Sequence, residues 1–233
     1  MASVNVGKPP SYTWYDVAAA ISKQKRNKAA GPDGIQMEAF IHSGPRLKFY
    51  LCVLFNLFLL HGYVPEEFCR STVIPLVKCK SSDLSDVNNY RAIALANSVS
   101  KILETLMLDF IESSADADEF QFGFRKGLST SLCTSVFKKT VNYYRQHGSH
   151  VFVCFIDFNK TFDNVDYWLL FCNLIESNGS VPCFYATRLL AHWYSSQLMQ
   201  VRWQGVSSAY FKVAQGVRQG GILSPFFIPV LYP

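Results

Sequence analysis

Asp157 closes an apolar run, VFVCFID over residues 151–157, and two more carboxylates, Asp163 and Asp166, follow it. Residues 215–225 then read QGVRQGGILSP, with Gly216, Gly220 and Gly221 set around Arg218 and Gln219. A run apolar on both faces predicts an internal strand, and a carboxylate at the end of such a rigid element is well placed to hold a metal ion. Oxygen ligands suit Mg²⁺, a hard cation that shares its shell with phosphate oxygens. Glycines let backbone come close to a ligand. Gln219 can hydrogen-bond a sugar or base, and Arg218 can meet a phosphate or an internal carboxylate. The two segments therefore suggest a metal-holding carboxylate beside a nucleotide pocket. A purely structural reading stands next to it: Asp157 as a strand-end turn residue, Asp163 as a helix cap, and the glycines as a turn ahead of a helix started by Ser224-Pro225.

Other side chains fit the same chemistry. Phe158 and Phe162 flank the carboxylates, and an aromatic ring at 162 could lie under a sugar and exclude a 2′-hydroxyl; core packing is the alternative. Lys78 and Arg91 bracket a polar loop, and both could reach a triphosphate, Arg91 bidentately. Gln121, Arg125 and Lys126 in QFGFRKG could touch a template backbone. Taken alone, Lys78 and Arg91 are more often solvated surface charges, and Gln121, Arg125 and Lys126 have the same surface alternative.

These residues need elements to hold them. The pattern predicts helices over 16–28, 36–42, 46–61, 101–111 with Ser98 as cap, 129–146, 167–177 and 183–194. Strands are expected over 70–78 and 151–157, Pro75 marking an edge or bulge, and a hairpin around Gly205. Gly31-Pro32-Asp33-Gly34 is a turn signal. Helices and strands mingle irregularly, which favours α+β over a doubly wound sheet.

The 233 residues are 49% hydrophobic and 17% charged, enough for a packed core and against wholesale disorder. A net charge of +5 is compatible with a phosphate-backbone partner without demanding one. Seven cysteines, none at C-x-x-C spacing, give neither a zinc nor a secreted disulfide framework, so reduced thiols in a nuclear or cytoplasmic protein are expected. The most apolar stretch, 49–62, is shorter than the roughly 20 residues a bilayer span needs, so no membrane association is expected; it reads as a helix buried on most sides.

Five segments then appear in a specific order: AAGPDGI, VIPLVKCKSSDLSDVNNYRAIALANSVSKILE, EFQFGFRKGLST, FIDFNKTFDNVDY and QGVRQGGILSPFF. The series resembles the reverse transcriptase of non-LTR (LINE-type) retrotransposons, from about residue 16 to residue 225, with group II intron-type enzymes a second resemblance of the same chemistry. It implies an α+β, right-hand polymerase fold with fingers and a partial palm, the thumb absent. The implied division is a lead-in and helix over 1–28, fingers over 29–150 and partial palm over 151–233. It implies RNA template, DNA primer and deoxynucleoside triphosphates as partners and Mg²⁺ as cofactor, and says nothing of oligomeric state. By match, Asp157 is the first metal-binding aspartate, Phe162 the sugar-sensing aromatic, Gln219 and Gly220 the nucleotide pocket, Arg91 the triphosphate arginine and Lys78 its companion.

The departures are specific. No adjacent Asp-Asp pair occurs, Ala92 follows Arg91 where proline is usual, Asn159 and Thr161 replace a small pair, and Pro229 falls inside the last helix. An interior proline costs about 3 kcal/mol. A truncated or decayed copy, or a partial gene model, is the expectation, one that does not extend a primed RNA template by itself. A non-catalytic nucleic-acid-binding remnant is the alternative.

Overall fold

Caps, turn residues and apolar stripes decide locally where the helices and turns begin and end, and the strands depend in addition on distant backbone partners. The computed structural model describes residues 7–112, 121–123, 127–158, 160–178 and 180–231. Helix α1 (Trp14–Ser22) opens on a capping box in which Thr13 and Asp16 satisfy each other's amides, and it buries Val17, Ala20 and Ile21. It stops short of the expected residue 28. Ser22 bonds back to the Ala19 carbonyl, Gln24 reaches Ala20 and Thr105, and Asn27 takes φ 58°, so local polar bonds replace the next helical turn.

Helices α2 (Met37–Ile41) and α3 (Pro45–His61) follow. Gly62 ends α3 in the left-handed region at φ 64°, and Arg188 donates to the carbonyls of Leu59 and Leu60, two that the helix leaves open. One side of α3 is buried (Leu51, Cys52, Phe55, Phe58, Leu59), whereas Tyr50, Val53, Leu57 and Leu60 are exposed. The helix is thus half-sunk, not buried on most sides. Asn56 is not a mere interruption: it takes the Tyr12 N–H at 2.7 Å and gives to the Tyr12 carbonyl at 2.9 Å.

A short helix, α4 (Glu66–Cys69), leads into a mixed sheet. Strand β1 (Arg70–Val77) pairs antiparallel with β2 (Tyr90–Ala96) and parallel with β3 (Leu198–Trp203). The parallel pairing ends at Val73, so Pro75, which has no N–H, lies where only β2 flanks the strand. Strands β4 (Val206–Ser207) and β5 (Phe211–Lys212) fold back onto β3 through Gln204 and Gly205, both at positive φ as a two-residue hairpin turn requires.

The core lies among α1, α3, α5 (Ser98–Glu112), α7 (Tyr167–Asn178), α8 (Val181–Ser195) and α9 (Ser224–Leu231), all contributing to one apolar cluster. Ile102, Leu103, Leu106 and Met107 form the buried stripe of α5, and Phe110 stacks on Tyr12 at 4.8 Å. Ser98 does not cap this helix; its hydroxyl goes to the Ile35 carbonyl, and the preceding Asn97 carbonyl accepts the first helical amides. The result is a mixed α/β architecture, consistent with the α+β expectation.

One expected strand is absent. Helix α6 (Thr130–Gln146), capped by Ser129, buries none of its residues. The run 151–158 is in no strand, and Phe152, Phe155 and Ile156 are 95%, 82% and 79% exposed. The apolar composition was real, but no described segment pairs with this backbone.

Candidate nucleotide-binding site

The sheet and the helices converge on the glycine turn. At residue 219 the chain meets β2: Ile93 and Gln219 form a parallel bridge, and the Gln219 carbonyl accepts the Ala94 N–H at 2.8 Å. A Cβ on Gly220, whose φ is 113°, would come within 3.1 Å of the Ala94 carbonyl, so glycine is required for this approach. Gly216 is tighter still. Its Cβ would stand 2.7 Å from the Asp163 carbonyl oxygen, at φ 86°.

The second wall is the segment carrying the carboxylates. Val217 N–H donates to the Phe162 carbonyl at 2.7 Å, Gly216 N–H to the Val165 carbonyl at 2.9 Å, and Gln219 Nε2 reaches Asp163 Oδ1 at 3.4 Å. Tyr167 ties the turn from behind, its hydroxyl donating to the Gly216 carbonyl at 2.7 Å. Burial pushes that hydroxyl's pKa up to about 12, so it remains a donor at neutral pH.

The sequence candidates distribute unevenly. Gln219, Gly220 and Phe162 meet at this junction. Phe162 is partly buried and its ring packs against the core, so its structural reading also holds. Arg91 is exposed on β2, opposite Leu76 and two residues from Ile93, hence on the face that borders Gly220. Lys78 lies two positions beyond Leu76, the partner of Arg91, at the loop end of the same hairpin, where its ammonium donates to the Asn88 carbonyl at 2.8 Å. Asn89 organises that loop by bonding the N–H and carbonyl of Cys79 and the carbonyl of Asp83. Phe158 is exposed, and its carbonyl accepts from Thr161. Gln121 bonds the Gly123 carbonyl, and Arg125 and Lys126 lie outside the described residues.

Asp157 is exposed and belongs to no strand, which corrects the expectation of a rigid internal support. Asp166, not Asp163, caps the following helix, accepting the Leu169 N–H at 2.9 Å. Among the described residues no group of three acidic, histidine or cysteine side chains is placed to hold a metal ion. A lone exposed carboxylate does not fit Mg²⁺, whose octahedral shell needs more than one fixed oxygen ligand.

Arg218 does not face the pocket. It is buried at 2% exposure, ion-paired with Glu104 of α5, and its guanidinium lies over Trp193 at 5.1 Å. Of the two partners the sequence offered it, the internal carboxylate is the one realised. Glu104 was missed because it borders the apolar stripe of α5, where a charge normally reaches solvent.

Comparison with known proteins decides the family. Residues 79–231 match the family Reverse transcriptase (RNA-dependent DNA polymerase). The chain belongs to the reverse transcriptase family. Among similar relatives of this reverse transcriptase chain is the putative 115 kDa protein in type-1 retrotransposable element R1DM of Drosophila melanogaster, 26% identical over 96% of this chain. The RNA-directed DNA polymerase from mobile element jockey of Drosophila funebris is 28% identical over 91% of it, and the probable RNA-directed DNA polymerase from transposon X-element of Drosophila melanogaster 29% over 90%. The reverse transcriptase chain spans only 21%, 23% and 23% of the lengths of these relatives. The matched region holds Arg91, Asp157, Phe162, Gln219 and Gly220, and begins just after Lys78. No helix among the described residues is long and apolar enough to cross a membrane.

Proposed function

We propose that this chain forms the nucleotide-selecting part of a retrotransposon RNA-directed DNA polymerase, with a lead-in and helix over 1–28, fingers over 29–150 and a partial palm over 151–233. The observation that carries this reading is the Gln219–Gly220 turn, bridged to β2 beside Arg91 and pinned to the Phe162–Asp163 segment.

In this proposal Arg91 pairs with the triphosphate of a deoxynucleotide, with Lys78 able to join once its ammonium leaves the Asn88 carbonyl. Gln219 addresses the sugar or base, and Gly220 keeps the backbone clear. Phe162, with Phe158 nearby, crowds the sugar and disfavours a 2′-hydroxyl. Gln121, Arg125 and Lys126 contact the RNA template of the template–primer pair. Mg²⁺ is the proposed cofactor of the assembled enzyme, in which Asp157 would need further fixed oxygen ligands beside it to complete an octahedral shell. Nuclear and cytoplasmic residence belongs to the same proposal.

The test is equilibrium binding to the chain of dTTP and of 5-methyluridine triphosphate, which differs from it only by the 2′-hydroxyl. Tighter dTTP binding is expected. Arg91→Ala should weaken it about tenfold or more, the size of one lost hydrogen bond to a charged group, and Gln219→Ala about two- to tenfold, the size of a neutral one. Equal affinities for these two nucleotides, or affinities indifferent to both substitutions, would overturn the reading.

A further inference from the structure

The glycine turn is held by a device that none of the nucleotide contacts requires. Glu104, on α5, is itself 2% exposed, and its two oxygens go to opposite sides of the turn. Oε1 takes Nη2 of Arg218, the residue before Gln219, and Oε2 accepts the backbone N–H of Ile222, the residue after Gly221, at 2.5 Å. Between these points the Gly221 N–H closes onto the Arg218 carbonyl at 3.0 Å. Arg218 is clamped in turn by Trp193 beneath its guanidinium, while its Nε and Nη1 have no hydrogen-bond partner among the described residues. A buried guanidinium in that condition depends on its one carboxylate, because among the described residues only Glu104 pairs with its charge, the Trp193 ring adding a weaker cation–π contact.

We infer that Glu104 and Arg218 are positioning residues, a buried ion pair that staples the glycine turn to α5 so that Gln219 and Gly220 are presented at β2. The staple stands on geometry alone; its consequence for nucleotide binding rests on the function proposed above. Neither side chain touches the pocket, and both act through Gln219. The bidentate use of one carboxylate also makes the pair sensitive to a single atom. In Glu104→Gln only one oxygen remains, so an amide N–H must face either the guanidinium or the Ile222 N–H, donor against donor.

Residue-resolved amide hydrogen exchange on the 233-residue chain, with and without Glu104→Gln, tests the staple, and dTTP binding is measured on the same samples. In the unsubstituted chain the Ile222 and Gly221 amides should be protected like core amides. Loop-like exchange there overturns the inference, and this holds even if the variant does not fold. In Glu104→Gln, exchange over 218–222 should rise about tenfold or more, the worth of one charged hydrogen bond, while α1 and α3 stay unchanged. A rise spread evenly over the molecule, or none, refutes a selective staple. dTTP affinity should fall about tenfold with it, and unchanged affinity refutes the coupling of staple to pocket. If the turn loosens selectively but the unsubstituted chain binds no dTTP, the staple stands and the proposed function falls.

Discussion

Replacing Gly216 by alanine probes the contact on which the candidate site is built. The backbone there has φ 86°, a left-handed conformation that costs an L-residue about 1–2 kcal/mol. The new Cβ would also stand 2.7 Å from the Asp163 carbonyl oxygen and 3.0 Å from the Asp163 Cα and the Phe162 carbonyl oxygen, all of them backbone atoms that cannot rotate away. Relief requires the 162–165 segment to lift. That weakens Val217 N–H to Phe162 and Gly216 N–H to Val165, each worth about 0.5–1.5 kcal/mol net. The sum is about 2–5 kcal/mol. Gly205→Ala is the control, since Gly205 has φ 84° but nothing within 4 Å of its Cβ position. It should cost only the conformational part, about 1–2 kcal/mol. Urea unfolding followed by circular dichroism measures both. With a slope of about 1–3 kcal/mol per molar, Gly216→Ala should shift the midpoint clearly further than Gly205→Ala. Equal destabilisation by the two substitutions would refute the close docking of residues 162–165 on the glycine turn.

Asn56→Ala should destabilise by about 1–3 kcal/mol in the same assay, because it leaves the Tyr12 N–H without its partner and the Tyr12 carbonyl with only the weak Cys52 thiol donor; a change near zero would show that water replaces the amide freely. Cys79 has its thiol pKa lowered to about 7 by hydrogen bonds from Ser81 first and then Ser82. The thiolate is therefore populated above that pH, and the iodoacetamide rate at Cys79 should be half-maximal near it. Ser81→Ala should move the midpoint up, whereas a midpoint near 8.5, the ordinary thiol value, would contradict the assignment. Gly220→Ala should weaken dTTP binding more than it lowers the unfolding midpoint, since the 3.1 Å approach to the Ala94 carbonyl displaces the turn locally; loss of stability without loss of binding would argue against a pocket at this turn.

Short-range signals were legible in the sequence and long-range ones only in part. The stripe from Ile102 to Met107, the α3 span ending at Gly62 and the hairpin at Gly205 each depend on neighbours within a turn or two, and the structure has all three. The docking of the glycine turn on the Phe162–Asp163 segment followed the order of motifs, because the family resemblance carries tertiary information that periodicity lacks. Residues 151–157 show the opposite case. Their composition suits an internal strand, but a strand exists only where another backbone offers hydrogen bonds, and no local pattern reports that supply. The end of α1 was misjudged because Ser22 and Gln24 compete for carbonyls that continuation of the helix would have used. Glu104 was invisible for a similar reason: its partners, Arg218 and Ile222, are more than a hundred residues away.

The most direct test maps amide exchange across the chain with and without dTTP. Protection confined to residues 91–94, 158–163 and 216–222 is predicted, since β2, the aromatic segment and the glycine turn then form one pocket. Protection instead around the cleft between α7 and α8, lined by Asp166, Trp168 and His192, or no protection anywhere, would contradict a nucleotide site at Gln219 and Gly220.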